Sequence, residues 1–165
     1  MKYLLDSNTF IEAKNRYYSM TICPGYWEWI LSSNVLHGVA SIEFVKDELV
    51  RGNDELAEWV KEHCRIFYAQ DDAQTQAAFG VVVDCVMALE SMRPGAKEEF
   101  LSGADPWLIA KAMVTGATIV THEVFNNSIR KKVLIPNICK IFGVNCINTF
   151  ELLHNLEAEF VMTVA

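Results

Sequence analysis

Tyr3-Leu4-Leu5-Asp6-Ser7-Asn8-Thr9-Phe10-Ile11 changes its hydrophobic character twice within a few residues. The short apolar run reads as a buried strand, and it ends on an acid. Ser7, Asn8 and Thr9 then supply the side-chain oxygens that satisfy free N–H groups at a helix start, and Phe10, Ile11 and Ala13 follow at helical spacing. A strand that passes straight into a helix is half of a crossover unit, so this segment predicts a parallel sheet with Asp6 at its carboxyl edge.

The rest of the chain repeats the pattern. Pro24-Gly25 opens a short helix through Tyr26–Leu31 that ends near Ser32-Ser33-Asn34, Leu36–Ala40 reads as a second strand, and Ser41 reads as the cap of a helix that Gly52 stops. Glu55–Cys64 is amphipathic, Arg65–Tyr68 suits a brief strand, and a long apolar helix runs from Asp71-Asp72 to about Met92, before Pro94-Gly95. A helix over 104–115, a β-branched strand Ala117–Thr121, a short helix Ile138–Phe142, a strand Val144–Ile147 and a helix capped by Thr149 complete the reading. The predicted fold class is α/β: three layers, α/β/α, around a central parallel sheet of four to five strands, with residues 1–165 as a single domain.

Composition narrows the class. An apolar fraction of 52% is ample for one core, and no internal repeat, linker or low-complexity run interrupts it. No stretch approaches the ~18 apolar residues of a membrane span, which points to a soluble, cytoplasmic protein without a membrane partner. Five scattered cysteines without a C-x-x-C pair read as reduced thiols. A net charge of −7 is unfavourable for a nucleic-acid binder, unless acids that hold divalent cations reverse the local field.

Four acids collect where the pattern places the carboxyl ends of strands, the edge at which such sheets carry their sites. Asp6 follows the first strand and Glu123 follows Ala117–Thr121. Asp105, ahead of Pro106, suits a helix N-cap; because a crossover helix runs antiparallel to the strand it feeds, it also begins at the carboxyl edge. Glu48 lies in the helix after the second strand, with Glu43, Asp47 and Glu55 as nearby competitors. Acids brought this close repel one another unless cations lie between them. Oxygen ligands suit Mg²⁺ or Mn²⁺, one or two ions, rather than zinc. Such an ion would activate water for phosphodiester hydrolysis and stabilise the leaving oxygen.

The ordered pieces Leu4-Leu5-Asp6-Ser7-Asn8, Glu48-Leu49-Val50-Arg51-Gly52, Ala104-Asp105-Pro106-Trp107-Leu108-Ile109-Ala110 and Val120-Thr121-His122-Glu123 resemble the PIN-domain nucleases. That family includes the VapC-like toxins of toxin–antitoxin pairs. The resemblance implies Asp6, Glu48, Asp105 and Glu123 as metal ligands, with Asn8 and Thr121 assisting, and endonucleolytic cleavage of single-stranded or structured RNA. It also implies a cognate antitoxin and a homodimer. Two departures mark a divergent subfamily: Glu123 stands where the family usually has Asp, and an aromatic insert occupies Arg16–Trp29.

Arg130, Lys131 and Lys132, with Lys14 and Arg16, are candidates for gripping substrate phosphate. Tyr17, Tyr18, Tyr26, Trp27 and Trp29 suit either base stacking or packing against the domain. Two rivals stand beside the nuclease reading. One is a catalytically silent RNA- or protein-binding module of the same fold; the other is a haloacid-dehalogenase-like phosphatase, which Asn8 disfavours because those enzymes resemble Asp-x-Asp in this turn.

Overall fold

The computed structural model describes residues 1–161, so residues 162–165 of the expected domain lie outside the described residues. Five strands, β1 (Tyr3–Leu5), β2 (Val39–Ile42), β3 (Phe67–Tyr68), β4 (Thr118–Val120) and β5 (Cys146–Ile147), form one sheet in the order β3-β2-β1-β4-β5, and each neighbouring pair is parallel. The predicted α/β class and strand direction are borne out. Leu4, Leu5, Ile42, Ile119 and Val120 are buried, as strands covered on both faces require.

Helices fill the connections. α1 (Ser7–Glu12) continues into a π-helical turn (Ala13–Tyr17), and α2 (Pro24–His37) leads to β2. α3 (Glu43–Val50) and α4 (Glu55–Glu62) come before β3; α5 (Ala73–Met87), α6 (Ala96–Ser102) and α7 (Asp105–Thr115) come before β4. α8 (Ile135–Phe142) precedes β5 and α9 (Thr149–Asn155) follows it. Helices α1, α3 and α4 pack on one another, and α5 to α8 form a second packed group. No helix among the described residues is long and apolar enough to cross a membrane, and all five cysteines are free.

Several boundaries differ from expectation. α2 continues through His37, with Val35 and Leu36 exposed on its last turn, and β2 starts only at Val39. Gly38 sets the boundary. Its φ of 68° ends α2 in the left-handed region, and a Cβ there would lie 3.1 Å from the Lys2 backbone nitrogen, which together with Tyr3 N donates to the Gly38 carbonyl. Ser41 is consequently not a helix cap. It lies inside β2 and donates its hydroxyl to the Leu5 carbonyl at 2.6 Å.

α5 stops at Met87 rather than Met92, and Pro94-Gly95 opens α6, a helix the periodicity did not separate from loop. α8 starts at Ile135, three residues earlier than expected, with Pro136 in its first turn. Asn148, not Thr149, caps α9, through reciprocal bonds with Glu151.

Candidate functional site

The strand order reverses between β1 and β4, the switch point at which parallel α/β sheets open a crevice beyond their carboxyl ends. Asp6 leaves β1 there, its N–H bonded to the Val120 carbonyl at 3.0 Å, and it is only 2% exposed. Its carboxylate accepts from the Thr121 hydroxyl at 2.9 Å and, at 3.3 Å, from the Ser7 hydroxyl. Thr121 in turn accepts from Asn8 Nδ2 at 3.0 Å and from the Glu123 N–H at 3.1 Å. One donor and two acceptor sites are all that a hydroxyl has, so Thr121 is saturated and holds Asp6 in one orientation. The Asn8 amide is oriented by the same logic, because the His122 N–H at 3.0 Å requires Oδ1 on that side.

Asp105 is the first residue of α7 and does not cap it. Ala104 occupies the cap position, and no side-chain cap bond forms. Pro106 has no N–H to satisfy, so the helix start makes little demand on Asp105. Glu48 supplies the missing anchor, its Oε1 accepting the Ala104 N–H at 2.8 Å. The competing acids point elsewhere: Asp47 and Glu55 are exposed, and Glu43 pairs with Lys46 at 3.4 Å.

Glu123 serves a second helix start. One carboxylate oxygen accepts the Ile135 N–H of α8 at 2.8 Å, and the other pairs with Lys132 at 2.8 Å. Spanning from β4 to α8 uses the full length of glutamate, which is a structural reason for Glu rather than Asp.

Electrostatics tie the four acids together. Burial, then the charges of Asp6, Glu123 and Glu48, push the Asp105 carboxyl up to about 8, with Lys132 opposing. Asp6 is pushed up to about 6, chiefly by burial; the Thr121 bond works against this, and Glu123 and Glu48 add to it. The two aspartates therefore share a crevice that disfavours their charge.

The donor set is all oxygen, and no hydrogen-bond donor among the described residues answers the Asp105 carboxylate. Both properties fit a hard divalent cation. Among the described residues, however, no three His, Cys, Asp or Glu side chains close on a common point, because Glu48 and Glu123 are turned toward backbone N–H groups. A cavity of about 220 Å³ reaches Asp105, Glu123 and Lys132.

The basic candidates separate. Lys132 stands in the site on Glu123, whereas Arg130 folds its guanidinium onto the Asn127 and Ile129 carbonyls and Lys131 is exposed. Lys14 is not brought to the acids. It pairs with Asp54, the cap of α4, and Arg16 pairs with Glu12 at 3.0 Å.

Local pattern reads Ser7 as capping chemistry and His122 only as a motif position; in the fold Ser7 donates its hydroxyl to Asp6, and His122 Nε2 lies 2.9 Å from the Thr149 hydroxyl, with burial holding its pKa below the ordinary value. Both flank a candidate acid, but adjacency alone does not reveal a bond to Thr149.

The family described as "Domain of unknown function (DUF4411)" matches residues 3–160. No curated protein matches the chain. Among solved structures, a chain of "Crystal structure of VapBC2 from Rickettsia felis bound to a DNA fragment from their promoter" is similar in fold, with a TM-score of 0.57 at 15% identity over 90% of this chain and 98% of that one.

Proposed function

Because this chain belongs to the family described as "Domain of unknown function (DUF4411)", we propose its activity from its own site: a divalent-metal-dependent endoribonuclease that hydrolyses phosphodiester bonds in single-stranded RNA. The observation that carries the reading is the stress that burial places on Asp6 and Asp105 at the sheet's switch point, two carboxyls raised to about 6 and about 8, with the charge of Asp6 adding to the stress on Asp105. A cation between them removes that stress.

Asp6 and Asp105 would hold Mg²⁺ or Mn²⁺, with Glu48 and Glu123 completing the acid ring. When bound, the ion supplies an activated water and stabilises the leaving 3′ oxygen. Thr121 and Asn8 keep Asp6 in place, and Lys132, which neutralises Glu123 in the resting protein, is positioned to meet a substrate phosphate. Lys131 and Arg130 extend the positive charge on the same loop.

The similarity in fold to a chain of the VapBC2 assembly supports a toxin of a toxin–antitoxin pair, with an antitoxin protein as partner and the cytoplasm as its place of action. A homodimer is proposed on the motif resemblance alone. The turning of Glu48 and Glu123 onto backbone N–H groups favours a second reading, a silent module of the same fold that binds RNA or protein.

Purified protein incubated with a 5′-labelled single-stranded RNA decides between them. Cleavage with Mn²⁺ or Mg²⁺ that stops on chelation, and is absent in Asp6→Asn, is the expected result. Cleavage that persists in excess EDTA sinks the metal mechanism, and no Mn²⁺ binding by calorimetry favours the silent module.

A further inference from the structure

Four of the five aromatic residues in the insert are committed to packing. Tyr18 stacks on Tyr26 with centroids 4.3 Å apart and planes at 9°, Trp27 donates its indole N–H to the Tyr18 carbonyl at 2.8 Å and meets Trp59 edge-on, and Trp29 lies beside Tyr26. Tyr17 is the exception. It is 47% exposed and lies at the end of a π-helical turn closed by the bond from Tyr18 N to the Ala13 carbonyl. Such turns are frequent where a helix must redirect a functional side chain.

Tyr17 meets two other aromatic rings. Its centroid is 5.9 Å from the His122 ring at 28°, and 5.0 Å from the Phe150 ring at 82°. Phe150, in the first turn of α9, is itself 46% exposed. His122 is fixed from both ends, by its N–H on Asn8 and its ring nitrogen at Thr149, and the residue after it is Glu123. Of these rings His122 also lines a groove of about 570 Å³, together with Asn8, Glu12, Asn126, Lys132 and Glu123 of the acid cluster.

The geometry points to a stacking platform, made of Tyr17, His122 and Phe150, that seats one unpaired nucleobase next to the phosphate being cleaved. The inference rests on the nuclease reading above. Two half-exposed rings would also accept an apolar protein side chain, but here they are joined through His122 to the acids. A base stacked on them places its own phosphate in the groove that holds Lys132 and the amides of Asn8 and Asn126. Stacking is sequence-tolerant, since every base offers a flat face, and it acts together with positive charge along the backbone, which Lys132 brings to this groove.

The test uses the full chain with Asp6→Asn, which stops turnover, and a fluorescein-labelled octauridylate read by anisotropy in Mg²⁺. Adding Tyr17→Leu is expected to weaken binding roughly tenfold, Phe150→Leu somewhat less, and Tyr17→Phe hardly at all. An abasic nucleotide placed at successive positions identifies the stacked base. At that position the abasic probe loses roughly tenfold against the parent protein and almost nothing further against Tyr17→Leu, a coupling that a merely structural residue does not produce. Thermal melting of Tyr17→Leu within a few degrees of the parent secures the fold.

In otherwise wild-type protein, Tyr17→Leu should raise KM for cleavage with little change in kcat. Unchanged affinity in Tyr17→Leu, or losses that simply add, overturns the platform and leaves the nuclease reading standing. If wild-type protein neither binds the octauridylate nor cleaves RNA with metal, both fall together.

Discussion

The two aspartates and the two glutamates of the acid cluster sit in the same crevice under different physical regimes. Asp6 and Asp105 keep short carboxylates in the desolvated centre, and both have raised pKa values. Glu48 and Glu123 reach outward and accept backbone N–H groups at the starts of α7 and α8. Four like acids thus divide into a stressed pair, available to a cation, and an anchoring pair that joins the site to the packing of the domain. The longer side chains suit the second task because the bonds they make lie on neighbouring elements.

The sharpest break of this comparison is removal of one stressed charge. Asp105→Asn or Asp6→Asn should lower metal-dependent RNA cleavage by at least about a hundredfold, because loss even of groups that only support a ligand costs about 10–100-fold. The metal-free Asp105→Asn protein should nevertheless melt at a higher temperature than wild type at pH 8, as differential scanning fluorimetry can show. A lower melting temperature would mean that the carboxylate is not under stress.

The same stress predicts a pH dependence. An acid whose folded pKa lies above its unfolded value of 3.8 binds more protons folded than unfolded between the two values, so stability falls as pH rises through that window. Metal-free protein should therefore lose stability on the order of several kcal/mol between pH 4 and pH 8, through both aspartates from 4 to 6 and through Asp105 alone from 6 to 8. Saturating Mn²⁺ should flatten that slope, with proton release visible in calorimetry at pH 7.

The anchoring pair should behave in the opposite sense. Glu48→Ala leaves the Ala104 N–H without its acceptor and should destabilise by about 1–3 kcal/mol in urea unfolding, whereas Glu48→Gln, which retains an acceptor oxygen, should recover most of it. Lys14→Ala is the smallest change. It removes an ion pair at the cap of α4, away from the acids, and should cost about 1 kcal/mol or less without altering cleavage.

Much of the sheet was legible because its strands are short apolar runs ended by capping or turn chemistry. β1 and β4 announce themselves by Leu4-Leu5 before Asp6 and by the β-branched run before His122. β2 was misplaced because Leu36 looks like a strand residue, and only the close approach of Lys2 to Gly38 reveals that the helix must turn there. Asp105 was expected to cap α7, a reasonable inference from Asp-Pro. The carboxylate is left free because Glu48, far away in sequence, answers the Ala104 N–H instead. The bond from Glu123 to α8 was hidden for the same reason, since it depends on where the next helix starts and not on local pattern.

The bond between Thr121 and Asp6 also has a bearing on the order of synthesis. The two residues are 115 apart in the chain, yet Asp6 is oriented only once Thr121 arrives beside it. At roughly 5–20 residues per second a ribosome takes about 6–23 s to cover that distance. For that interval a nascent chain carries its first acid without the strand that fixes it, so the crevice cannot assemble on an early fragment. If the protein cleaves RNA, the message and ribosome that make it are shielded from their own product until β4 has emerged.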